Sequence, residues 1–249
     1  MIRNASRWLL PVLLALCGPA LSSPADLLGR GNAAYEAGDY AQALLLYDSA
    51  AQHVQNADIF YNRGNARFKL GQVGRAIADY NRAYALAPQD KSIRYNLAFA
   101  RQYRPDKTLT LENPLTRMAA DALRLLDVTT VRVLAAVLFL LALGAVATLF
   151  VLGKRLFGWL GAGLGIVFIY FFLAQLSWGA VVDRNRAVVV VPELTLRSGP
   201  GTEYKEMVVV HDGLEVVLRE TRPGYVLVQM PGGEGGWAET AAVEPIFGR

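Results

Sequence analysis

The 249-residue sequence contains one cysteine and two histidines. A single cysteine builds neither a disulfide framework nor a thiolate metal cluster, and Cys17 lies inside the N-terminal leader. Nucleophilic catalysis needs a nucleophile held beside a base. His53 falls between two helical segments and His211 at a strand end, and no HExxH, GxSxG or phosphate-loop pattern stands in the context its chemistry requires. The chain therefore reads as non-enzymatic, with no cofactor and no metal. Charge is scarce too: 18% of residues are charged and 53% hydrophobic, so membrane segments are expected. A basic nucleic-acid surface is excluded. Residues 26–107 carry 11 Lys/Arg against 8 Asp/Glu, and residues 183–249 carry 7 against 10.

Long hydrophobic runs are present and place the chain in a membrane. Residues 1–23 have the outline of a secretory signal: Arg3 and Arg7, an apolar run from Trp8 to Cys17, then small residues with cleavage after Ser22 or Ser23. A short uncleaved anchor has the same outline, and either sends the following chain out of the cytoplasm. Val133–Leu152 and Leu156–Val182 are apolar and uncharged, separated by Lys154 and Arg155. Two spans with almost no loop between them (132–182) form a hairpin, so the parts before and after it lie on one side. Lys154 and Arg155 then mark the cytoplasmic turn, although Arg124, Arg132, Arg184 and Arg186 flank the other ends, so the leader carries the orientation. Trp159 and Trp178 stand where interface anchors stand. Gly161 and Gly165 have GxxxG spacing for close helix packing, within the hairpin or against a partner. Residues 104–130 read as a linker followed by an amphipathic juxtamembrane helix, with Leu115, Met118, Ala122 and Leu126 on one face, a face equally suited to packing on the helical head.

Before the hairpin, residues 25–103 repeat. Gly31/Gly64, Asn32/Asn65, Gly38/Gly71, Ala43/Ala76, Tyr47/Tyr80 and Ala50/Ala83 recur at an offset of 33. Small residues let paired helices approach, Gly38 and Gly71 stop one helix and turn the chain, and Tyr47 and Tyr80 fill the space between. This pattern, closed by Pro88, resembles the tetratricopeptide repeat, with Ser92–Arg104 as a capping helix. The resemblance implies a peptide-binding groove lined by Asn32, Tyr35, Glu36, Asn65, Phe68 and Lys69. Tyr35 and Phe68 are equally suited to packing the stack.

After the hairpin, residues 186–249 carry short β-rich stretches separated by turn residues, which predicts a small all-β barrel or sandwich. Leu194, Leu196, Arg197, Ser198, Gly199 and Pro200, then Gly213, Val216 and Val217, then Tyr225, Val226 and Val228, then Gly236 and Trp237 resemble the bacterial SH3 (SH3b) domain. That resemblance implies a barrel with Leu194, Leu196 and Val228 in its core, Arg197 bonded to backbone carbonyls, and a ligand of peptide or cell-wall (peptidoglycan) kind. Tyr204, Tyr225 and Trp237 are the candidates for its face, with Trp237 equally suited to core or rim packing. The expected fold class is thus multidomain: all-α tetratricopeptide helical repeats, a two-helix transmembrane hairpin and a small all-β SH3-like barrel. The order of parts resembles the tetratricopeptide/SH3 membrane proteins of the bacterial aerotolerance (Bat) operon. It implies partner proteins of the membrane-anchored von Willebrand factor A type and a role in envelope stress, while the leader and the hairpin lead us to expect an inner-membrane location with both soluble parts in the periplasm.

Overall fold

The computed structural model describes residues 23–106, 122–123, 126, 128–181 and 185–247. The leader up to Ser22, most of the linker and most of the expected juxtamembrane helix lie outside the described residues.

The head consists of α1 (Pro24–Glu36), α2 (Tyr40–His53), α3 (Ala57–Lys69), α4 (Val73–Leu86) and α5 (Lys91–Ala100), followed by one 3-10 turn (Arg101–Tyr103). Local chemistry sets most helix starts. The side chains of Ser23, Asp39, Asn56 and Asp90 accept backbone N–H bonds from the first turns of α1, α2, α3 and α5. Gly38 and Gly71 end α1 and α3 at φ of 80° and 76°, the left-handed conformation that glycine adopts without penalty. The repeated small residues do what the pattern predicts: a Cβ on Gly31 would lie 2.5 Å from the Tyr47 ring, and one on Gly64 2.8 Å from the Tyr80 ring.

Helices α6 (Val128–Leu152) and α7 (Arg155–Val181) pack side by side, joined at Gly153 and Lys154. Both are long and apolar enough to cross a membrane. Helix α6 starts at Val128, inside the stretch read as linker and juxtamembrane helix. Only one glycine of the GxxxG pair meets the neighbouring helix. A Cβ on Gly161 would stand 3.2 Å from Val146 Cγ2, whereas Gly165 has nothing within 4 Å. Trp159 is exposed, as an anchor would be, but Trp178 is fully buried. It packs with Ala85, Val131 and Ala174, and its Nε1–H donates to the Leu126 carbonyl at 3.1 Å. Tyr84 and Phe247 reach the same cluster, so head and C-terminal part both rest on one end of the hairpin.

The C-terminal part is a single antiparallel sheet. Its strands are β1 (Arg186–Val189), β2 (Glu193–Arg197), β3 (Glu206–His211), β4 (Glu215–Arg222), β5 (Tyr225–Gln229), β6 (Gly235–Glu239) and β7 (Val243–Pro245), in the order β3-β2-β6-β5-β4-β1-β7. The expected closed barrel is not what the ladder shows: β3 and β7 are free edges and the sheet is open. It nevertheless curls round one core, since Leu194 and Val210 from one edge share an apolar cluster with Ala187 and Val243 from the other. Register shifts at Leu196/Arg197 and Leu218/Glu220 supply bends. Both edges are blunted against further pairing. The His211 N–H on β3 donates to Asp106 Oδ2 at 2.6 Å. On β7, Pro245 has no N–H, and its carbonyl accepts from Arg82.

Candidate partner groove and the head–sheet interface

The repeated asparagines occupy equivalent places and do equivalent work. Asn32 Oδ1 accepts from the Tyr47 hydroxyl and from Asn62 Nδ2, each at 2.9 Å. Asn65 Oδ1 accepts from the Tyr80 hydroxyl at 2.8 Å and from Asn96 Nδ2 at 2.9 Å. Each asparagine thus ties its partner helix to the first helix of the next unit. Burial pushes the Tyr47 hydroxyl up to about 12 and raises that of Tyr80, so both remain proton donors to these bonds. Between the two ties lies a cavity of about 250 Å³, lined by Asn32, Tyr35, Glu36, Tyr47, Asn62 and Asn65. Glu36 and Lys69 are exposed. Tyr35 is half-buried and meets Tyr40 edge-on at 5.0 Å. Phe68 does not line this cavity: it packs on Phe99 and Tyr103 at 5.7 and 5.2 Å between ring centroids. The six groove residues therefore divide. Asn32, Tyr35, Glu36 and Asn65 line one hollow, Lys69 is exposed outside that lining, and Phe68 belongs to an aromatic row farther along.

The face expected on the sheet is less coherent. Arg197 bonds the Thr202 and Tyr204 carbonyls, each at 3.0 Å, which fixes the Gly-Pro-Gly corner. Tyr204 is exposed and folds over Gly199. Trp237 is buried, with the Arg222 guanidinium 4.9 Å above its ring. Tyr225 is half-buried in the next strand. Among the described residues no ring contact joins these three aromatics.

The largest arrangement of charge is one that the repeat pattern does not point to. Helix α4 is buried on nearly every side, because α3 and α5 cover one face while β1 and β7 cover another. Its fully buried Asp79 receives Arg63, with Nε–Oδ2 at 2.9 Å, Arg67, with Nη1–Oδ2 at 2.9 Å, and Arg82, with Nη1–Oδ1 at 2.6 Å. Glu244 Oε1 on β7 accepts from Arg67 at 3.2 Å and Arg82 at 2.8 Å, and Arg82 Nε donates to the Ile246 carbonyl at 2.6 Å. Ile77, Val188 and Ile246 form the apolar part of the same contact. A second carboxylate, Glu215 on β4, is gripped by Arg101 through two bonds of 2.9 Å, by Arg186 at 2.8 Å and by Asn81 at 3.1 Å. At the far edge Asp106 Oδ1 meets His211 Nδ1 at 2.8 Å.

Helix α4 also takes its cap from the sheet. Gln72 makes no capping bond, and the Gly74 N–H instead donates to Asp212 Oδ2 at 3.0 Å. A carboxylate at a helix N-terminus is favoured by the exposed N–H groups and the helix dipole. Signals for this interface are visible when the two copies are aligned at their offset of 33. Asp79 stands where copy one has Leu46, Arg82 where it has Ser49, and Gly74 where it has Ala41.

Burial alone would raise the Glu215 pKa; Arg101 first, then Arg186 and Arg104, overrule it and hold the carboxylate below its ordinary range. A depressed folded-state value stabilises the fold above the ordinary value of 4.5, and that stability is lost as pH falls through the folded value. Asp212 works the other way: burial raises its pKa, so its charge opposes folding once the pH rises through the ordinary value of 3.8. We expect Glu215→Gln to lower the thermal midpoint at neutral pH and to flatten its fall below pH 4.5. Equal acid limbs in parent and variant would show that Glu215 does not clasp the head.

Residues 57–90 match the family model for the tetratricopeptide repeat. Tetratricopeptide repeat protein 16 of Homo sapiens and its counterpart in Macaca fascicularis are each 40% identical to this chain over 58 residues, 23% of it. The chain spans about 7% of the length of these curated relatives. Helices α3 and α4, with the turn that follows, are therefore a tetratricopeptide repeat, a module that serves protein–protein interaction.

Proposed function

We propose that the protein is a non-enzymatic, membrane-anchored interaction scaffold of a bacterial envelope, whose helical groove holds a segment of a partner protein. The observation that carries this reading is the hollow between the Asn32 and Asn65 ties, lined in part by the exposed Glu36, with exposed Lys69 one turn beyond Asn65 on α3. The apolar hairpin anchors the scaffold in the inner membrane, with head and sheet on the periplasmic side. The C-terminal sheet, although open, is an SH3b-like module, supported by the Arg197-held corner and by the core its two edges share. The resemblance to aerotolerance-operon proteins makes membrane-anchored von Willebrand factor A-type proteins the partners to test. Retention of cell wall by the sheet is the alternative; the burial of Trp237 under Arg222 gives it little support.

Binding is best read with exposed residues, because Asn32 and Asn65 also hold the stack together. Glu36→Lys with Lys69→Glu is expected to leave the thermal midpoint within about 2 °C, since exposed substitutions cost little. The same pair should weaken co-purification of a crosslinked partner at least tenfold, on the order of 1.4 kcal/mol. Unchanged capture would move the partner site elsewhere. A reporter fused after Arg249 should be active only outside the cytoplasm; cytoplasmic activity would overturn the orientation.

A further inference from the structure

We propose that the seam between head and sheet holds a second binding site, for an extended peptide that places a carboxylate beside an apolar side chain. A cleft of about 530 Å³ opens there, within the range of small-ligand and peptide pockets. It shares no lining residue with the hollow described above and exists only because α4 docks on the sheet. Its walls are mainly apolar: Val73 from the start of α4, Tyr103 and Pro105 from the end of the head, and Val190 beyond β1.

The ligand chemistry follows from which charges are already engaged. Asp212 lines the cleft but is bound to the Gly74 N–H. Asp106, just past Pro105, is bound to His211. Arg75 differs. Its Nε stands 3.8 Å from Glu244 Oε2, beyond hydrogen-bonding distance, and its side chain is 48% exposed. Glu244 is meanwhile held at shorter range by Arg67 and Arg82. Arg75 therefore lies in the field of Glu244 and Asp212, but neither holds it at hydrogen-bonding distance, so its guanidinium can take an incoming carboxylate through two bonds.

The approach to the cleft suits apolar side chains. Tyr103, 57% exposed, continues into a row of rings. Phe99 lies 5.1 Å away, and Tyr95, 67% exposed, stacks on Phe99 at 6.1 Å with an interplanar angle of 11°. A row of rings open to solvent offers large contact area with little rotamer freedom to lose. A peptide crossing this row reaches Arg75 at its end.

The test is selection of a random decapeptide library on the full-length protein in nanodiscs, followed by affinity measurement on the enriched sequences. Enrichment of Asp or Glu next to an aromatic or aliphatic residue is expected. Affinity should fall at least tenfold in Arg75→Glu and in Val190→Trp, which fills the cleft. It should be unchanged in Tyr35→Ala, which alters the repeat groove and leaves the cleft intact. Loss in Tyr35→Ala with no change in Arg75→Glu would assign the peptides to the repeat groove and overturn the cleft while leaving the groove reading intact. Absence of enrichment, or enrichment without acidic residues, overturns the proposal. So does binding that emerges only when residues 107–121 are replaced by a Gly-Ser linker, which would make the chain's own segment the occupant.

Discussion

Asp79→Ala is expected to destabilise the folded protein by about 3–5 kcal/mol, because removing one partner of a buried ion cluster leaves the others uncompensated. Asp79 is fully buried and receives Arg63, Arg67 and Arg82. Without it, the carboxylates left to these three guanidiniums among the described residues are Asp48 and Glu244, and Glu244 also faces Arg75. The loss should appear as a fall in thermal midpoint on the order of 10 °C, measured by tryptophan fluorescence on the detergent-solubilised chain. Because Arg67 and Arg82 bridge to β7, the same substitution should expose the head–sheet seam to limited proteolysis before the midpoint. A shift of under about 2 °C, within the range of ordinary surface changes, would show that the cluster contributes little.

The repeats were legible because their constraints are local. A glycine under a tyrosine ring, a glycine at positive φ and a polar cap each leave a mark within one helical turn or one helix pair. Gly31 with Tyr47, and Gly64 with Tyr80, meet as their spacing implies. The strands of the C-terminal part were legible for the same reason, and so was Arg197 as the holder of its corner. Closure of the sheet was not legible. It depends on what covers the edges, and Asp106 and Arg82 come from the head, 105 and 163 positions away from the groups they bind. Trp178 misled for a related reason. An aromatic near the end of an apolar helix fits a lipid interface, but here the head supplies an apolar seat for it. The docking surface itself showed only as departures from the repeat: an aspartate at the place of Leu46, an arginine at that of Ser49 and a glycine at that of Ala41.

These departures change how the parts work together. Two modules joined through a helical hairpin would ordinarily move independently, since interfaces between domains are often small and polar. Here the helix that completes the tetratricopeptide repeat is the one that carries the sheet, and both parts rest on the hairpin through Tyr84, Ala85 and Phe247. On the proposed reading, a groove fixed in this way would present a partner at a set height and angle above the hairpin, which would lower the entropy lost on binding.

Gly74→Ala separates a docked α4 from a free one by the sign of its effect. In an exposed helix, glycine to alanine is worth up to about 1 kcal/mol of stabilisation. Gly29 in α1 is such a site, exposed and with nothing within 4 Å of a built Cβ, so Gly29→Ala should stabilise. At Gly74 the same methyl would overlap Asp212 Oδ1 and the Val189 carbonyl and lie 2.9 Å from the Gly213 nitrogen. The Asp212 side chain can swing away, at the loss of a cap worth about 1 kcal/mol. The Val189 carbonyl cannot, because it accepts the Gly213 N–H at 2.9 Å and belongs to the β1 backbone. The sheet must therefore shift as a body, at an overpacking cost of about 1–3 kcal/mol. The net expectation is destabilisation of roughly 1–3 kcal/mol once the helix gain is deducted, read as a lower thermal midpoint beside a raised one for Gly29→Ala. If Gly74→Ala raised the midpoint as Gly29→Ala does, α4 would not be seated against β1 and Asp212, and the rigid placement of the groove would fall with it.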